Sequence, residues 1–135
     1  TENSKPKWGT MSAQHLVEHL EFGYRIASGE IQDFDITTPE KILDKVHNTL
    51  YNYEKMPQNF DFPLAEKSKI NELKHSDLAE AKEKMMQARS QYLAYFNQNP
   101  DALLKNAVFG EMNRYEWYLL ERKHLNHHFE QFEVL

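Results

Sequence analysis

Apolar residues recur at three- and four-residue intervals in four stretches. That spacing predicts four helices over 12–28, 39–53, 76–97 and 113–132, antiparallel in sequence order, with no sheet. In the first, Ser12 is placed as N-cap, and Met11 and Leu16 flank it as a hydrophobic staple. Leu16, Leu20 and Gly23 lie along one side with His19 beside them, and the helix fades at Ser28-Gly29. Gly23, one turn beyond His19, leaves room for a close neighbour or a ligand. Thr38 as cap and Pro39 in the first turn announce the second helix, along which Ile42, Val46, Leu50 and Tyr53 keep helical spacing. In the third, Leu78, Ala81, Met85, Ala88, Tyr92 and Tyr95 form the seam expected for antiparallel helix packing, and Met85 and the tyrosines read as core. The last opens with Asn113 as N-cap and Glu116 three residues on, a capping box, with Met112 and Trp117 placed for the staple. Trp117, Leu120, His124 and His128 then descend one face. The fold class this predicts is all-α, an antiparallel four-helix bundle forming a single domain over 1–135.

The connections are less regular. Residues 1–9 are polar, with Trp8 expected to dock on the body. Residues 29–37 link the first two helices, and 101–111 read as a short turn of helix followed by a Phe109-Gly110 corner. Residues 54–75 lose periodicity, contain Pro57 and Pro63, and carry Phe60, Phe62 and Leu64. A loop of that length serves either as a lid or pocket wall or as a packed surface excursion.

Charge narrows the partners. Sixteen Lys and Arg against twenty-one Asp and Glu give a net charge of −5 with no basic cluster, which disfavours nucleic acid. No apolar run approaches the roughly 20 residues that span a bilayer, so no membrane partner is expected. The chain has no cysteine, which excludes disulfides, thiolate ligands and a cysteine nucleophile. That composition is compatible with a reducing compartment, and cytoplasmic is the location expected. The chain starts at Thr1 rather than Met, which suits a trimmed chain or a piece of a longer polypeptide.

Candidate chemistry lies in the seven histidines. His124 and His128 stand four residues apart, so both project from one helical face within reach of a single ion. That face continues Trp117 and Leu120 inward, where an unpaired imidazole is costly. His19 lies where the first helix meets the core, and the three converge if the first and last helices are neighbours. Each must be neutral to bind, so affinity is expected to fall as pH drops through the ordinary imidazole value near 6.5. His15, one turn before His19, is an alternative ligand or a supporting partner. His127 lies about 100° round from His128 and is expected to face outward. His47 and His75 lack a partner at ligand spacing and read as structural or solvated. Glu18 and Gln131 are candidates to support the ligands, although Glu18 also suits a solvated surface. Leu125-Asn126 stand where a His-Glu-x-x-His peptidase has its glutamate side, and neither a phosphate loop nor a nucleophile elbow is present.

These residues match a known pattern. Met11-Ser12 through His19-Leu20 resembles the N-terminal Trp-Ser…His-Leu element of the DinB/YfiT-like superfamily. His124-x-x-x-His128-x-x-Gln131 resembles its C-terminal His-x-x-x-His-Arg-x-Gln element, with Phe129 in place of Arg. Phe109-Gly110-x-Met112-x-x-x-Glu116-Trp117, followed by Lys123-His124-x-x-His127-His128-x-x-Gln131-Phe132, is similar to one branch of that superfamily. The branch carries His-Pro where this chain has Asn106-Ala107, and Thr where it has Asn113. The resemblance implies a four-helix bundle with a divalent metal held by His19, His124 and His128. Relatives in the superfamily include thiol-dependent S-transferases and isomerases that use bacillithiol or mycothiol.

Two function classes follow. One is a metal-dependent enzyme, a thiol-dependent S-transferase or a hydrolase, whose nucleophile comes from a low-molecular-weight thiol or water because the chain has no cysteine. The other is a non-catalytic, metal-stabilised binding or accessory domain. A site that has decayed into structural histidines is the blandest alternative. Zn, Ni and Fe all suit imidazole ligands. The partners this reading allows are a small-molecule substrate and a second copy of the chain in a homodimer.

Overall fold

A computed structural model of the chain describes residues 1–58 and 72–133. Among them are four α-helices, α1 (Ala13–Ala27), α2 (Glu40–Asn48), α3 (Leu78–Gln98) and α4 (Arg114–Gln131). A 3₁₀ turn at Thr49–Tyr51 follows α2, and a two-stranded sheet of β1 (Leu104–Asn106) and β2 (Gly110–Met112) precedes α4. The chain is mostly helical, and no described helix is long and apolar enough to cross a membrane.

Three of the helix starts follow from side chains that satisfy the free amides of a first turn. Ser12 caps α1 by accepting from the His15 amide, and Asn113 caps α4 by accepting from Glu116. Both are full capping boxes, with His15 and Glu116 reaching back. Asp77 caps α3, one residue inside the predicted start.

The core is built along α1 and α3, which run in the same direction. Ala13 and Val17 cluster with Leu78 and Ala81 near the two N-terminal ends, and Tyr24 stacks on Tyr92 further along at 5.7 Å. Helix α4 runs opposite to both, since Arg89 bonds Glu121 while Asn97 bonds Arg114. Helix α2 follows the direction of α4: His47 and Tyr51 reach Glu116, and Asn52 and Glu54 reach Lys123. Successive helices therefore alternate in direction. Trp117 is buried and donates its indole N–H to the Leu104 carbonyl at 3.2 Å.

Three expectations are corrected. The absence of a sheet fails: Leu104 pairs with Met112 and Asn106 with Gly110, where a helical turn was expected. The connection is fixed by Asn106, whose Oδ1 accepts the amides of Val108 and Phe109, and by Gly110, whose φ of 78° favours glycine. Strands of three residues are too short to show alternation. The second helix ends at Asn48, so Tyr53 falls beyond it and is fully solvated; within it Ile42 is exposed, while Leu50 in the turn that follows is buried. The α3 seam drifts at its end. Phe96, at 1% exposure, takes the inward position, and Tyr95 packs edge-on against it from outside. A 3-4 repeat averages 3.5 residues per turn against 3.6 for a straight helix, so the seam slips about 20° per heptad, and five turns on from Leu78 it is Phe96 rather than Tyr95 that shares its face. Phe60, Phe62 and Leu64 lie outside the described residues.

Candidate metal centre

His19 sits mid-way along α1, and His124 and His128 lie one turn apart near the end of α4. The antiparallel pairing of these helices brings the three rings together. His19 Nε2 lies 2.8 Å from His124 Nε2, which in turn lies 2.9 Å from His128 Nε2. All three nitrogens fall within 4.8 Å of one another, a grouping able to hold a metal ion. His128 is buried, and His19 and His124 are half-buried.

The proton on His128 is placed by its neighbours. Gln131 Nε2 donates to the Trp8 carbonyl at 2.9 Å, which turns its Oε1 toward His128 to accept from Nδ1 at 2.8 Å. With Nδ1 protonated, neutral His128 presents a lone pair at Nε2. Gln131 thus supports a ligand, as the sequence reading allowed, and Trp8 docks as expected, edge-on to His127.

Each Nε2 contact needs one proton to be a hydrogen bond. His128 Nε2 brings none, so a single proton on His124 Nε2 has to serve both contacts. Charging a ring would supply another proton, but burial opposes it. Burial, together with His128 and His127 nearby, lowers His19 from the ordinary 6.5 to about 4. Burial first, then the neighbouring rings, holds His124 well below the usual range. His128 is lowered by burial against the opposing pull of Gln131. A cation at the shared point takes three lone pairs at once, so these residues fit a divalent ion. The rings remain neutral below the ordinary imidazole value.

The remaining candidates fall elsewhere. His15 is spent on the α1 capping box, with Nδ1 accepting from the Ser12 amide. His127 is half-buried between Trp8 and His128 rather than outward. Glu18 is neither solvated nor beside the ligands. It is buried and accepts the amides of Lys74 and His75 at 2.8 and 3.1 Å, fixing the approach to α3. His75 Nε2 bonds Glu21 at 2.6 Å. His47 bonds the Phe109 carbonyl through Nδ1 at 2.7 Å and Glu116 through Nε2. Both partners only accept, so His47 donates twice, as an imidazolium. It is structural, but as half of an ion pair that its spacing did not reveal.

A cavity of about 200 Å³ adjoins the three rings between α1 and α4. Its described wall includes His19, Leu20, Gly23, Leu120 and Trp117, with Met56 from the segment after α2. One polar arrangement on this wall escaped the sequence reading. Tyr24 donates to Glu121 Oε1 at 2.9 Å, and Arg89 donates to the same oxygen at 3.0 Å. The available signal was that Glu121 precedes His124 by one turn on the same face. Burial first, then Glu121, raises the Tyr24 hydroxyl far above its ordinary value, so it stays a donor. No family model, curated protein or solved structure matches the chain.

Proposed function

We propose that the chain is a divalent-metal protein of the DinB/YfiT-like kind. In this reading the alternating helices form an antiparallel four-helix bundle, and His19, His124 and His128 hold the ion that acts on a small molecule in the adjoining cavity. The observation that carries it is the convergence of three Nε2 atoms with the lone pair of one fixed by Gln131. A bound ion supplies Lewis acidity. The chain supplies the rest: three neutral ligands, a glutamine that orients one of them, and apolar walls that exclude water. Having no cysteine, it must take any thiol from a cosubstrate, so the reaction proposed is thiol-dependent S-transfer, with hydrolysis as the variant that uses water. Zn, Ni and Fe are the metals the ligands suit.

A second reading is a non-catalytic binding or accessory domain. Glu121 on the cavity wall favours it, because one of its two carboxylate oxygens holds Tyr24 and Arg89 in a structural tie. Elemental analysis of purified variants tests the centre. His19→Ala and His124→Ala should lose stoichiometric metal, and His127→Ala should keep it. Full retention in the first two overturns the assignment. Thiol consumption by the metal-loaded protein, against a panel of electrophiles, then separates the enzyme from the binding domain.

A further inference from the structure

Among the described residues, nothing requires glycine at Gly23. It lies inside α1, and its φ is not among the positive ones, unlike Gly29 and Gly110. Among the described residues, a Cβ built there would meet nothing within 4 Å. Alanine would therefore fit and would favour the helix, since glycine in a helix interior is destabilising. What glycine leaves is empty volume on the cavity wall, one turn from His19. The rest of that wall is mainly apolar, with Leu20, Leu120 and Trp117 around it. Among its polar members, Tyr24 donates to Glu121 Oε1 and Asn106 Oδ1 accepts two backbone amides. A charged or strongly polar ligand body would lose its water there for little return.

Resting on the metal reading above, we infer that the ligand is a small apolar molecule carrying one metal-binding head group, and that Gly23 sets the size of its apolar part. An apolar cavity of about 150 Å³ takes benzene. On the same scale the 200 Å³ here takes a monosubstituted benzene of about eight non-hydrogen atoms. The head group meets the ion, and the ring fills the space left by the missing side chain.

The test uses benzyl mercaptan and 2-mercaptoethanol as probes, titrated into the cobalt(II)-loaded wild type, Gly23→Ala and Gly23→Leu and followed by visible absorbance. The wild type should bind benzyl mercaptan at least tenfold more tightly than 2-mercaptoethanol. Gly23→Leu should keep one metal per chain and lose that preference, and Gly23→Ala should resist urea better than the wild type. Equal affinity for the two thiols in the wild type, or an undiminished preference in Gly23→Leu, overturns the inference while leaving the metal reading intact. Failure of the wild type to bind metal defeats the metal reading instead. The cavity is then judged by toluene with metal-free protein, followed by NMR shifts: the wild type must bind and Gly23→Leu must not, and any other pattern overturns the inference.

Discussion

Gln131 shows how much one side chain decides at the centre. Its amide spans from the Trp8 carbonyl to His128 Nδ1, and the carbonyl can only accept, so the amide has one orientation and the imidazole one tautomer. Replacing it by leucine keeps most of the volume but frees the ring to rotate and to place its proton on Nε2, where it blocks a metal. Loss of such an orienting partner costs about 10- to 100-fold in metal affinity. Competition titration of Gln131→Leu against a chromophoric chelator should find a drop in that range, with helix content unchanged by circular dichroism. An unaltered affinity would mean that packing alone holds the ring.

At the scale of elements, α2 differs from the other helices. None of its residues is buried, so hydrophobic contact does little to hold it. It is fastened instead by a polar link to α4, His47 on Glu116, joined by Tyr51 from the turn that follows α2. Burial works against charge on His47, but the Phe109 carbonyl and Glu116 outweigh it and raise the imidazole above its ordinary 6.5. Burial also opposes charge on Glu116, and the Asn113 amide, Tyr51 and His47 together lower it below 4.5. The histidine's contribution is complete below about pH 6.5 and is lost as pH rises through its raised value. The glutamate's is complete above about pH 4.5 and is lost as pH falls through its lowered value. The link is therefore fully formed between those limits. Urea unfolding of the chelator-treated wild type and His47→Gln should show a penalty about 1 kcal/mol larger at pH 5.5 than at pH 9, the difference between a charged and a neutral hydrogen bond. A penalty independent of pH would show that the pair carries no charge.

The same contrast explains what could be read from the sequence. Helices α1, α3 and α4 were legible because their caps and apolar repeats are local: Ser12 and Asn113 act on residues three places away. His19, His124 and His128 were legible as a set because helical spacing and a buried face constrain them. The end of α2 was not, because Tyr53 continues the apolar rhythm into solvent. Nor was the hairpin, whose turn depends on one asparagine side chain, or the tie from Glu18 to residues 74 and 75, which joins segments 56 and 57 positions apart.

For the whole molecule, the centre closes the chain on itself. Its three histidines come from the first and last helices, with His19 and His124 separated by 105 positions. Helix α1 packs most closely on α3, whereas its approach to α4 is made by long side chains, at Tyr24–Glu121 and at the three rings. An ion held there links two elements that otherwise meet across a cavity. The unfolded chain cannot assemble those ligands at comparable cost, so binding free energy becomes folding free energy. Stability should then rise by about 1.4 kcal/mol per tenfold increase in free metal above the dissociation constant, reaching about 2.7 kcal/mol at a hundredfold excess. Thermal unfolding in a zinc buffer series should follow that slope, and His19→Ala should flatten it. Hydrogen exchange resolves the same effect along the chain. Metal should slow exchange in α1 and α4 more than in α2, which has no ligand and no buried residue. Equal slowing in all helices would show that the ion stabilises the fold as one cooperative unit, and an unchanged melting temperature would show that the three histidines do not bind it.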